Sequence, residues 1–146
     1  CEEGWHYDRT GGNCYMINEN VLSWEVARTH CMAFKGDLAS ITGPDDKAFI
    51  RELTMSSTSS VFWIGGNEIN QSSGWTWSDG SPFSFLDWDV GKPDNSVDPE
   101  WCIETLKVRN SQWNDQDCSK QLPSICQKKC KHCVLIFMFN TGMCTK

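Results

Sequence analysis

The chain has 146 residues, nine of them cysteine, and a formal net charge of −6. That length suits one domain, and the acidic balance leaves no basic face for phosphate contact, which argues against nucleic-acid binding. The most apolar run, Val134 to Phe139, falls far short of the roughly 20 residues that a bilayer span needs.

Taken in chain order, the first regular element expected is a helix beginning at Ser23. Ser23 is a natural N-cap, Trp24, Ala27, Cys31 and Phe34 recur at helical spacing, and Gly36 is a natural stop. A second helix is expected from Pro44, a residue favoured in a first turn, with Ala48, Phe49 and Leu53 on its inner face. Val61-Phe62-Trp63-Ile64, closed by Gly65-Gly66, reads as a buried strand. Trp101 to Lys107 and Ser124 to Gln127 read as two more. Between Gly65 and Trp101 lies a long stretch rich in Gly, Ser, Asp, Asn and Trp, and long irregular stretches in compact domains tend to carry function. Helices early and short strands around long loops later make the fold class α+β.

So many cysteines in a chain this short point to a disulfide framework in an oxidising, extracellular compartment. Zinc is the competing explanation, but only Cys130 and Cys133 form a Cys-x-x-Cys, and no second pair or His-x-x-x-His follows. Nine is odd, so one thiol at least has no partner within the chain, which suggests an interchain bond or a free reactive thiol. A chain that opens on Cys1 with no signal peptide is what a processed secreted protein presents.

Several motifs share one order and spacing. They are Cys1-x-x-Gly-Trp5 with Cys14-Tyr15, Cys31 on the first helix, and Trp63-Ile64-Gly65-Gly66. Next come Trp75-Thr76-Trp77-Ser78-Asp79-Gly80-Ser81-Pro82 with Trp88, then Cys102, Trp113-Asn114-Asp115, Cys118 and Cys126. Together they resemble the long form of the C-type lectin-like domain, from Cys1 to about Lys128. The resemblance implies a carbohydrate-recognition domain over 1–128, with two helices, short antiparallel sheets and a long loop region. It also implies the bridges Cys1–Cys14, Cys31–Cys126 and Cys102–Cys118. Trp63, Trp75, Trp77 and Trp88 are expected to pack the core and the loops rather than to stack on sugars.

In sugar-binding members of that family, a calcium ion in the long loop binds vicinal sugar hydroxyls. Its ligands come from a Glu-Pro-Asn or Gln-Pro-Asp motif, a Glu before the third core cysteine, and Trp-Asn-Asp. The matching residues here are Lys92-Pro93-Asp94, Glu100, Asn114 and Asp115. Lys92 departs from the pattern, because an ammonium donates and cannot ligate a cation. The leading expectation is that Lys92 replaces the metal, sitting among Asp94, Glu100 and Asp115 and donating to a sugar oxygen. Charge-assisted bonds contribute about 1.5–3 kcal/mol each, and a millimolar site needs only about 4 kcal/mol. Two alternatives stay open: calcium held by the other four residues, or a fold that has lost sugar binding and recognises a protein partner. Asp94 places the motif nearer the galactose type. It is also similar to that of bivalve lectins that bind N-acetylhexosamines without calcium, which implies GlcNAc or GalNAc as ligand and no cofactor.

No hydrolase signature, phosphate loop or His-Glu-x-x-His occurs, so the expectation is a binding module and not an enzyme. Asn67, Glu68 and Asn95 are polar candidates for an auxiliary calcium site without a clear pattern, and Asn70-Gln71-Ser72 is a glycosylation sequon. Beyond the family pattern, 129–146 is a cysteine-containing extension. One of Cys130, Cys133 and Cys144 is expected to join two chains, giving a disulfide-linked dimer whose paired weak sites gain avidity. By resemblance, such a secreted lectin serves innate recognition of foreign glycans.

Overall fold

A computed structural model describes residues 1–95 and 99–130 of the chain. Its strands are β1 (His6–Asp8), β2 (Asn13–Leu22), β3 (Asp37–Leu38), β4 (Val61–Asn67), β5 (Thr76–Trp77), β6 (Cys102–Leu106), β7 (Gln112–Gln116) and β8 (Leu122–Lys129). The helices are α1 (Trp24–Ala33) and α2 (Pro44–Thr54). The sheet runs β1-β2-β8-β4-β6-β7, with β3 added to β8 and β5 to β4. The architecture is α+β, mixed because β4 and β8 meet in parallel at Trp63 and Ser124 while the other pairs are antiparallel.

Successive residues of a strand face opposite sides, and β4 uses this to serve two cores. Phe62 and Ile64 join Ile50 and Leu53 of α2 with Trp77, Ile103 and Trp113. Trp63 faces the other way, onto Trp24, Ala27 and Cys31 of α1. Both sequence-expected helix starts are the observed ones, although Ser23 caps with extended backbone and no side-chain hydrogen bond. The inner faces differ in detail. Phe34 lies beyond the last turn, 41% exposed, with its ring edge against Trp5, so it is not core. In α2, Ala48 faces solvent and Ile50 takes the buried position between Phe49 and Leu53. Helix α1 ends before Gly36, because Lys35 already turns left-handed (φ 62°). Gly36 is required for another reason: a Cβ there would strike the carbonyl oxygen of Gln127.

Three disulfides staple this frame: Cys1–Cys14, Cys31–Cys126 and Cys102–Cys118. Cys31–Cys126 spans 95 residues and ties α1 to β8. Cys130 is disulfide-bonded as well. Cys133, Cys144 and the apolar run 134–139 lie outside the described residues.

Candidate functional site

The loop between β5 and β6 has little regular hydrogen bonding and is fixed by other means. Trp113 of β7 is wholly buried and contacts Trp77, Phe83, Phe85 and Trp88 at centroid distances of 5.2, 5.8, 6.1 and 5.7 Å. Backbone bonds then join the loop to the outer side of β7, with Trp113 N donating to Asp87 O (2.9 Å) and Asp89 N to Trp113 O (2.8 Å). Lys47 of α2 pairs with Asp87 at 2.7 Å. The tryptophans of this region are therefore packing elements, as partly buried Trp75 and Trp88 also show by meeting edge to face at 5.0 Å.

From this base the chain turns at Gly91 (φ 77°) and enters Lys92-Pro93, whose peptide bond is cis. The carboxylate of Asp115, at the end of β7 and with no exposure, grips the two residues beyond Pro93. It accepts from the backbone N–H of Asp94 at 3.0 and 3.2 Å and from that of Asn95 at 2.7 Å. Asn95 sits in the left-handed region (φ 48°), which asparagine tolerates better than most residues. Its side-chain oxygen accepts from Glu100 N at 2.9 Å. Asn95 thus closes the loop on itself.

This scaffold brings four of the five sequence-predicted residues together. Carboxylate oxygens of Asp94, Glu100 and Asp115 lie within 4.8 Å of one another. The ammonium of Lys92 is 3.0 Å from Asp94 Oδ2, with side chains 26% and 36% exposed. The hydrogen bond to Asp94, then the charges of Asp94, Asp115 and Glu100, holds the Lys92 ammonium above the ordinary lysine value against an opposing effect of burial. Asn114 is tied to another carboxylate. Its side-chain amide donates to Glu104 Oε1 at 2.9 Å, beside Gln116 Nε2 at 3.3 Å, and its own carbonyl oxygen is buried with no hydrogen-bond partner among the described residues. Glu104, only 3% exposed, is the residue that sequence reasoning missed. Its one available signal was position, since β6 pairs with β7 so that Glu104 lies opposite Asn114.

By spacing alone, three carboxylates could surround a divalent cation. Lys92, paired with Asp94, supplies no oxygen ligand at the fifth position of the family pattern. The four residues form a partly exposed, acceptor-rich cluster with one resident donor.

Residues 20–128 match the family model described as Lectin C-type domain. C-type mannose receptor 2 of Homo sapiens is 38% identical over 130 residues, which is 88% of this chain and 9% of the receptor's length. Ladderlectin of Oncorhynchus mykiss is 36% identical over 126 residues, covering 85% of this chain and 65% of that protein. The solved SPL-1–GlcNAc complex superposes with a TM-score of 0.77 at 34% identity, covering 90% of this chain and 96% of its own. Fold, disulfides and sequence agree: this chain belongs to the C-type lectin domain family.

Proposed function

We propose that the chain is a secreted sugar-binding lectin, not an enzyme, whose long-loop site works without calcium. Lys92, Asp94, Glu100 and Asp115 form that site, with Asn114 at its margin. The observation that carries the reading is the Lys92–Asp94 ion pair at 3.0 Å, an ammonium standing where the family's metal ligand stands. Lys92 donates to sugar oxygens, and the carboxylates accept from sugar hydroxyls. The expected ligands are terminal GlcNAc, GalNAc or galactose-type sugars, a choice supported by similarity to the SPL-1–GlcNAc complex. Residues 1–128 would form the recognition domain. With six cysteines in three bridges and Cys130 in a fourth, the odd count leaves one thiol in the extension 129–146 for an interchain bond, and a dimer of such sites would suit innate recognition of glycan-covered surfaces. A glycan-binding screen with and without a chelator tests the site: binding unchanged by chelator is expected, and binding abolished by it would refute the role given to Lys92. A non-reducing gel tests the dimer; a monomer band alone would reject it.

One observation favours the alternative, a domain that recognises a protein partner. The Asn114 amide already donates to Glu104. Absence of binding to every glycan, in either buffer, would select that alternative.

A further inference from the structure

One motif of the sequence takes no part in the pocket. Asn70-Gln71-Ser72 is the single Asn-x-Ser/Thr triplet among the 146 residues, and the middle residue is not proline. It lies between β4 and β5, where Asn70 leads into a 3-10 turn, Gln71–Ser73, and its three residues are all exposed. Backbone bonds from Ser73 N to Asn70 O (3.0 Å) and from Gly74 N to Gln71 O (3.3 Å) close the turn. Gly74 ends it in the left-handed region (φ 64°), where glycine carries no steric cost. The Ser72 hydroxyl donates to Asn70 Oδ1 at 2.7 Å, a bond that uses the oxygen of the amide and not its nitrogen. Hydroxyl and amide of the triplet are thus held together, at the surface and outside every strand.

Resting on the secreted reading above, we propose that Asn70 is an N-glycosylation site, modified as the chain enters the compartment where its bridges form. The donor class is an oligosaccharide joined through pyrophosphate to a polyprenyl lipid. Asn70 Nδ2 attacks C1 of the donor's first sugar. The N–C1 bond forms, the C1–O bond breaks with the lipid pyrophosphate as leaving group, and one Nδ2 proton is lost; nothing is oxidised or reduced. The fold suits this step in two ways. The triplet belongs to no ladder, so a transferase engages it without breaking a strand pair. Strand β4, just before it, also lacks its neighbour β8 until residues 122–129 have been made, so this part of the sheet is still open when Asn70 emerges. The three disulfides, Cys1–Cys14, Cys31–Cys126 and Cys102–Cys118, suit the oxidising compartment in which such acceptors are read.

The test is expression of the full chain behind an added leader peptide in cultured animal cells. It is read by gel mobility before and after peptide-N-glycosidase treatment and by mass spectrometry of the peptide that contains Asn70. A slower band is expected, collapsing on treatment to the mobility of Asn70→Gln, with the glycan found on the Asn70 peptide. Ser72→Ala should abolish the slower band and Ser72→Thr should keep it. Because the Asn70 side chain is exposed, Asn70→Gln should melt at the same temperature as the unmodified parent, which separates loss of the acceptor from loss of the fold. The leader forces entry, so an unmodified Asn70 in translocated chain overturns the proposal and leaves the secreted reading standing. A slower band that persists in Asn70→Gln overturns it as well. Modified chain in which the three bridges fail to form supports the site and counts against the secreted reading instead.

Discussion

Between Leu122 and Lys129 the backbone is bonded to β2 along one side and to β3 and β4 along the other. Between Gly80 and Asp94 there is almost no ladder, and rings and carboxylates hold the chain instead. A ladder uses groups that nearly every residue carries, so the body tolerates many sequences. The loop depends on which side chains are present, so a few changes there alter its surface without disturbing the sheet. Lys92 is a residue of that kind. It sits on a loop whose anchors, Trp113 and Asp115, belong to β7.

Substitutions can separate the two regions. The largest effect is expected from replacing Cys31 and Cys126 together with serine. The bridge spans 95 residues, and on the chain-entropy account its loss costs roughly 4–5 kcal/mol. Guanidinium unfolding should show a lowered midpoint, and folded protein should keep its sugar affinity, since the pair lies in the body. Trp113→Ala should cost roughly 3–5 kcal/mol and act on the loop first. Limited proteolysis should then cut between residues 80 and 92 before the body melts, and simultaneous loss of both would show that the loop has no separate stability. Lys92→Ala reverses the balance. Neutral-sugar affinity should fall about tenfold or more, while stability changes by less than about 1 kcal/mol because the ion pair is partly exposed.

The smallest effect concerns alkaline pH. Tyr15 of the body is pushed above its ordinary 10.0, mainly by burial and next by the charge of Asp46, and Lys92 of the loop is also raised. A group whose value is higher in the folded state contributes its full stability below its unfolded value and loses it as pH climbs through the folded one. Stability and sugar binding should thus both be level at neutral pH and decline above about pH 10. Tyr15→Phe should flatten the decline in stability and leave that in binding. If binding follows the body's curve in the variant, the two regions titrate as one unit.

Both helix starts were legible, because Ser23 and Pro44 are local signals. Strand β7 was not, although it alternates inward and outward. One of its inward residues is Asp115, so the buried face does not look apolar. Strand β2 was hidden by its polar second half, Asn18-Glu19-Asn20, in which Asn18 is buried and Glu19 and Asn20 are exposed. In the pocket, Lys92, Asp94, Glu100 and Asp115 could be read from motif spacing. The diversion of Asn114 could not, since it follows from the register of β6 on β7, a property of pairing between segments.

The sheet order has a consequence for biosynthesis. Its interior strand β8 is the last of the eight to be made, yet it separates β2 from β4. Until residue 129 has been synthesised, both neighbours present open edges, and Cys31 waits for a partner at Cys126. The nascent chain cannot mature piece by piece from its N-terminus. Its sheet closes and Cys31 finds Cys126 only when the final strand arrives, while Cys1–Cys14 and Cys102–Cys118 can form before it.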